Sequence, residues 1–215
     1  MGERKPMSKV AKVLTENTII HALDKNRLEQ EKAQFGELTW GRKIQKGIIS
    51  ELKTIPKSLI FTSFASLSLA PFARKGAQAT LSIANLSIPK LLVSTLLIGP
   101  IFEEVVFRGV IQNSIKFLSN KLSSLTENRT IHAICSPTST ILSTNTLYAL
   151  RHLAYSGNYL CTTESIVQLS TTFVFPSFSI KQETSENLLV PISMHMMRNA
   201  FTVIPYIFLR TFFSQ

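Results

Sequence analysis

The segment Leu188–Leu209, which reads LLVPISMHMMRNAFTVIPYIFL, decides the fold prediction for this chain. Its length meets the requirement of roughly twenty residues for an α-helix that crosses the hydrocarbon core of a bilayer. His195, Arg198 and Asn199 interrupt the apolar side chains, and such groups are costly inside a membrane and usually mark function. The segment therefore predicts a membrane helix that carries a functional polar face.

Four further apolar segments precede this one, and each contains Ser, Thr or Pro. They lie at residues 59–73, 81–102, 137–153 and 166–180. Polar residues of this kind are tolerated in membrane helices where the helices pack against one another. We therefore expect an all-α fold, a multi-pass transmembrane bundle of about five or six membrane helices with a polar interior.

Charge is distributed unevenly along the 215 residues. Charged residues make up 17% of the chain, whereas soluble proteins average about 25%. Residues 1–57 hold 12 of the 23 Lys and Arg and 7 of the 13 Asp and Glu. We therefore predict a charged, mainly helical cytoplasmic arm at 1–57 and a membrane-embedded domain at 58–215. The basic residues that precede residue 59 place the arm in the cytoplasm by the positive-inside rule.

The cysteines and the net charge exclude several classes of function. Cys135 and Cys161 have no CxxC spacing, which argues against a disulfide framework and a cysteine-rich zinc site. The basic residues behind the net charge of +10 do not interleave with aromatic residues, and no helix-turn-helix or RNP-like sequence is present. We therefore expect no nucleic-acid partner.

The first polar motif is Glu103-Glu104-Val105-Val106-Phe107-Arg108, at the end of an apolar segment. Glu104 and Arg108 are four residues apart, in the order that favours a helical ion pair. Glu103 lies about 100° around the helix from Glu104, so it is free to point into a cavity as a general base. The alternative is a cluster of charges at a helix end that extends to the membrane interface.

Two further motifs each place polar side chains one helical turn apart. Tyr148 and His152 form one, and His195 and Asn199 form the other. Taken alone, each fits an interfacial or core residue, or polar contacts that join helices. Together with a carboxylate, they supply a base, a histidine that shares a water and an oxyanion-binding pair, which is a hydrolytic site. The HExxH and GxSxG motifs of other hydrolases are absent.

The order of the three motifs resembles that of the CPBP family, the CAAX-protease and bacteriocin-processing membrane proteins also called the Abi family. This family includes the type II CAAX prenyl endopeptidases, and the likeness extends over residues 85–210. The resemblance implies that Glu103 activates water and that His152 helps to bind and orient it. It also implies that His195 and Asn199 stabilise the oxyanion. Supporting or substrate-binding roles fall to Glu104, Arg108 and Tyr148, of which the last replaces the usual Phe.

The resemblance also implies a substrate and a location. The substrate would be a membrane-associated peptide or protein, and in the CAAX branch the reaction removes the last three residues after a prenylated Cys. The protein would lie in the lipid bilayer as a multi-pass protein, either of a bacterial cytoplasmic membrane or, in a eukaryote, of the endoplasmic reticulum. No cofactor is expected.

Three alternatives remain open at this stage. A zinc ion held by Glu103, His152 and His195 would run the same hydrolysis as a metalloprotease. The second alternative is a non-catalytic membrane scaffold or immunity protein. It is motivated by residues 173–178, which lack the glycines usual in the family, and by the unusual arm. A soluble helical protein with a basic tail is the third.

Overall fold

The computed structural model describes residues 16–69, 87–155 and 163–213. Within these ranges every regular element is helical and no strand occurs. The predicted all-α class is therefore confirmed.

The elements comprise α-helices and two π-helical segments, in which each turn is wider than in an α-helix. In chain order they are α1 (Ile19–Leu23), α2 (Lys25–Gly36), α3 (Trp40–Leu69), α4 (Ile88–Leu92), π1 (Val93–Ile98), α5 (Gly99–Glu104), π2 (Val105–Gln112), α6 (Asn113–Ser124), α7 (Arg129–Ile134), α8 (Pro137–Tyr155), α9 (Thr163–Val174), α10 (Ser177–Ser185) and α11 (Leu189–Phe213). The helix α3 runs across residue 57, where we expect the arm to join the domain.

The elements from α4 to α6 follow one another without an intervening loop. Pro100, near the start of α5, has no backbone N–H to donate, which fits the irregular hydrogen bonding of the π1 turn before it. π-Helical turns are rare and often occur at functional sites. Here π1 and π2 enclose the short α5, whose last two residues are Glu103 and Glu104.

The predicted membrane segments correspond to several of these helices. Residues 137–153 fall within α8 and residues 188–209 largely within α11, whereas residues 166–180 are divided between α9 and α10. Residues 70–86, which include parts of the first two segments, lie outside the described residues. Among the helices that the structure describes, none combines the length and the apolarity needed to cross a bilayer. Frequent Ser, Thr and Asn in α8 and polar residues inside α11 lower their apolarity, so the five or six predicted membrane helices are not shown by this structure.

The helix α10 lies at the centre of the bundle, and all nine of its residues are buried. Helices α2, α3, α8 and α11 and the π2 segment pack around it. Ile180 of α10 forms an apolar cluster with Ala22 and Leu28 of the arm and with Ile141. The arm therefore supplies part of the core.

A buried ion pair joins the arm to α10. The Lys181 ammonium donates a hydrogen bond to Glu31, and His21 Nε2 lies 3.0 Å from the other oxygen of that carboxylate. The backbone N–H of Asn17 donates to His21 Nδ1 at 3.2 Å, which leaves the ring proton on Nε2, facing Glu31. Burial lowers the pKa of His21. The nearby Glu31 carboxylate raises this pKa, but the effect of burial is larger.

The same surroundings control the ionisation of Glu31. Burial by itself would raise the pKa of this carboxyl, but the charges and hydrogen bonds of Lys181 and His21 outweigh burial and hold the pKa at about 2. Glu31 is therefore ionised in the folded protein at every pH above this value.

We expect the free energy of unfolding to fall as the pH drops from about 5 towards 2, because Glu31 binds a proton more readily in the unfolded chain. The difference between a pKa of about 2 and the usual 4.5 corresponds to about 3 kcal/mol at neutral pH. Chemical denaturation at a series of pH values measures it. The Glu31→Gln variant should show a weaker pH dependence in this window, and exposed Glu29→Gln is the control. Equal slopes for wild type and Glu31→Gln would contradict the assignment.

Candidate active site

The carboxylate of Glu103 is the point on which the predicted site residues converge. Its Oε2 atom accepts a hydrogen bond from the Tyr148 hydroxyl at 3.1 Å. The Nε2 atoms of His152 and His195 lie 3.4 and 3.9 Å from the same oxygen. The side chain of Glu103 is 18% exposed, so it is reachable from outside the bundle. Three groups from α8 and α11 thus surround one carboxylate oxygen.

Glu104 is fully buried, and its carboxylate contacts Arg108 and His195. Its Oε1 lies 2.8 Å from His195 Nδ1, and its Oε2 lies 3.4 Å from Arg108 Nε. An ionised carboxylate has no proton to donate, so we assign the proton of His195 to Nδ1. The Nε2 atom of His195 is thereby directed towards Glu103. The sequence predicts that Glu104 pairs with Arg108, and these two side chains lie together here. Glu103, which the sequence leaves free, has partners of its own on α8 and α11.

Aromatic rings complete the walls of the site. The Tyr148 ring makes edge-to-face contacts with Phe107 and His152, at centroid distances of 5.1 and 4.5 Å. The Arg108 guanidinium lies 4.6 Å from the centre of the Tyr148 ring. Contacts of this type are favourable and directional. They orient the Tyr148 hydroxyl towards Glu103.

Asn199 makes a different contact from the one that the sequence predicts. Its Nδ2 donates to the backbone carbonyl of Thr95 at 2.8 Å, and Thr95 lies in π1, where the helical hydrogen bonding is irregular. The side-chain amide has two N–H groups, and this bond uses one of them. The bond fixes α11 against π1, and the shared oxyanion contact with His195 remains a prediction.

Two residues of the site were missed by the sequence reasoning. Arg151 Nη1 lies 3.2 Å from Glu103 Oε1, whereas the two histidines lie against Oε2. The sequence does distinguish Arg151, because it is the one charged residue between 131 and 163. Phe178 stacks on His195, with ring centroids 5.0 Å apart and an interplanar angle of 20°. No sequence signal distinguishes this Phe from its neighbours.

The zinc alternative rests on Glu103, His152 and His195. Among the residues that the structure describes, no three His, Cys, Asp or Glu side chains are placed so that they could hold a metal ion. The arrangement presents a carboxylate, two imidazoles and a phenol close together, with the carboxylate partly exposed.

The chain was compared with protein-family models, curated proteins and solved structures. A family model described as type II CAAX prenyl endopeptidase Rce1-like matches residues 85–201, which is just over half of the chain. No curated protein and no solved structure matches the chain. The matched residues include the three motifs that meet at Glu103, whereas α1, α2 and α3 lie outside them.

We expect the Glu104→Gln variant to lower the free energy of unfolding by about 3–5 kcal/mol, because it leaves the buried Arg108 without a counter-charge. Glu103→Gln is the matched control: its ionic partner Arg151 is 35% exposed, so this substitution should cost about 1 kcal/mol or less. Denaturant unfolding of both purified variants in the same detergent measures the two losses. Equal losses would contradict the distinct positions of the two carboxylates.

Proposed function

The chain belongs to the type II CAAX prenyl endopeptidase Rce1-like family, and from this premise we propose that it is a membrane endopeptidase that hydrolyses a peptide bond with water activated by Glu103. The observation that carries the proposal is the convergence of Tyr148, His152 and His195 on one oxygen of Glu103. The family is one of peptidases that are integral to membranes.

In the proposed reaction, Glu103 takes a proton from water as the general base. His152 binds and orients this water, and Tyr148 keeps the carboxylate in place by donating to it. The resulting hydroxide attacks the carbonyl carbon of the scissile peptide bond. Glu103 then delivers the proton to the nitrogen of the leaving amine, so that the carboxylate is restored.

The negative charge that develops on the carbonyl oxygen needs hydrogen-bond donors. We assign this role to His195 and Asn199. Because Nδ1 of His195 faces the Glu104 carboxylate, Nε2 is the ring nitrogen left to face the oxyanion, and it donates there when it carries a proton. Asn199 would donate through the N–H that Thr95 does not use. Arg108 pairs with Glu104 and so helps to keep His195 in this orientation.

The proposed substrate is a membrane-associated peptide or protein, with a prenylated CAAX-type C-terminus as the form that the family favours. Apolar side chains are exposed beside the base: Phe102 is 59% and Val105 is 40% exposed. An apolar surface next to Glu103 suits a substrate that carries a lipid chain or lies in lipid.

We expect Glu103→Gln to lower the rate of cleavage by about 10²–10⁴-fold, since an amide cannot accept the proton of water. The assay follows an internally quenched, farnesylated CAAX peptide with the full chain in detergent micelles. Exposed Glu127→Gln is the matched control and should cleave as the wild type does. His152→Ala should also lose activity.

The outcomes separate the proposal from its alternatives. Unchanged cleavage by Glu103→Gln contradicts the glutamate mechanism. A wild-type chain that cleaves nothing, with motif variants that only lower the protein level, favours the non-catalytic scaffold. Loss of activity on treatment with a chelator and its recovery with Zn²⁺ favours the metalloprotease.

The surface of the described helices supports a place in the bilayer. Large apolar side chains are exposed on α3, α6 and α11, and they include Phe64 (70%), Phe117 (66%) and Phe208 (67%). Trp40 is 60% exposed at the start of α3, next to Arg42 and Lys43, a combination typical of the membrane interface. Exposed apolar surface of this extent needs lipid or another protein to cover it.

We expect the full chain to stay in the membrane fraction after alkaline carbonate extraction and to be released by detergent, because lipid covers these side chains. Immunoblots of pellet and supernatant measure the distribution. Recovery in the carbonate supernatant would contradict the proposed location and would favour a soluble helical protein.

A further inference from the structure

The arm helix α3 reaches the helix that carries His195 and Asn199. Glu51 of α3 is fully buried, and it faces Arg198, which lies between His195 and Asn199 in α11. The Nε and Nη2 atoms of Arg198 both lie 2.6 Å from Glu51 Oε1. Glu51 is outside the residues that the family model matches.

The Arg198 side chain connects this ion pair to the candidate active site. Its Nη2 atom also donates to Ser177 Oγ at 3.0 Å. The guanidinium lies 4.5 Å from the centre of the Phe178 ring, and the same ring stacks on the imidazole of His195 at 5.0 Å. Phe178 therefore contacts both Arg198 and His195.

A close approach of the two helices makes this contact possible. Gly47 lies one turn before Glu51, and a Cβ atom at Gly47 would come within 2.5 Å of Val190 Cγ1 and 3.5 Å of Met194. Ile44 of the same helix packs against a cluster formed by Phe178, Val190 and Met194. The backbone of α3 thus comes close to α11 on one side of the site.

We propose that Glu51 is a positioning residue for the active site and acts through Arg198 and Phe178 on His195. Glu51 fixes the guanidinium by a charge-assisted bond, the guanidinium and Ser177 fix the plane of Phe178, and Phe178 restricts the rotation of the His195 ring. Glu104 determines which ring nitrogen of His195 carries the proton. The chain of contacts from Glu51 through Arg198 and Phe178, which we call the Glu51 relay, determines the orientation of the His195 ring. This inference rests on the proposed peptidase function.

The Glu51→Gln variant tests the proposal in the full chain, with the farnesylated, quenched CAAX peptide as the probe. We expect kcat to fall about ten- to a hundredfold, the cost of a small displacement of a catalytic group, while KM stays within about twofold because Glu51 does not reach the substrate. Glu51→Asp keeps the charge and should recover part of kcat. Arg198→Lys keeps the charge but loses the planar group over Phe178 and should lower kcat as Glu51→Gln does.

Thr54→Val is the matched control, because Thr54 is fully buried on the same helix. Its hydroxyl bonds Asn17 at 2.7 Å and the Ser50 carbonyl at 2.9 Å, both within the arm. This variant should lose stability and keep the wild-type kcat. A loss of kcat by Thr54→Val equal to that of Glu51→Gln would overturn the relay, since packing of the arm would then explain both.

The Glu103→Gln variant, measured alongside, keeps the two proposals apart. If Glu103→Gln is inactive and Glu51→Gln keeps the wild-type kcat, the positioning role is overturned. The proposed peptidase function is then unaffected. An active Glu103→Gln overturns the peptidase mechanism and the relay with it. Thermal unfolding of each variant confirms that the folded fraction is the same during the assay, and if Glu51→Gln does not fold, Glu51→Asp and Arg198→Lys decide.

Discussion

The contact of Glu104 with Arg108 and His195 is the constraint on which the rest of the site depends. A carboxylate that is fully removed from water is tolerated only with partners that compensate its charge. These partners are Arg108, from the same helical run, and His195, from α11. Because these partners must stay in place, the helices that carry them are fixed relative to each other. Glu103, one residue away, gains a defined position while remaining accessible.

Helical geometry explains how adjacent residues take such different roles. The short α5 ends at Glu104 and the wider turns of π2 follow directly. The carbonyl of Thr95 in the other π segment accepts from Asn199 instead. Adjacent residues of a helix point about 100° apart, which separates Glu103 from Glu104. The irregular π1 segment contributes the acceptor that ties α11 to the bundle.

Sequence reasoning located the polar centre of the site because its members are isolated in apolar surroundings. Glu103, His152 and His195 stand out for this reason, and the structure brings them together. The membrane helices were predicted from apolar length alone, and Ser, Thr and Asn within them make that pattern weak. The contacts of Phe178 and the pairing of Glu51 with a partner 147 residues away leave no local pattern, since they arise from packing in three dimensions.

The burial of α10 on every side has a consequence for the order in which the chain acquires its structure. Glu31 precedes its partner Lys181 by 150 residues, and Glu51 precedes Arg198 by 147. During synthesis the arm leaves the ribosome long before α10 and α11 exist, with two carboxylates and an apolar face that have nothing to pack against. Until then water must solvate these groups, or another protein must shield them. The arm is therefore made before its partners and becomes native only after they have been made.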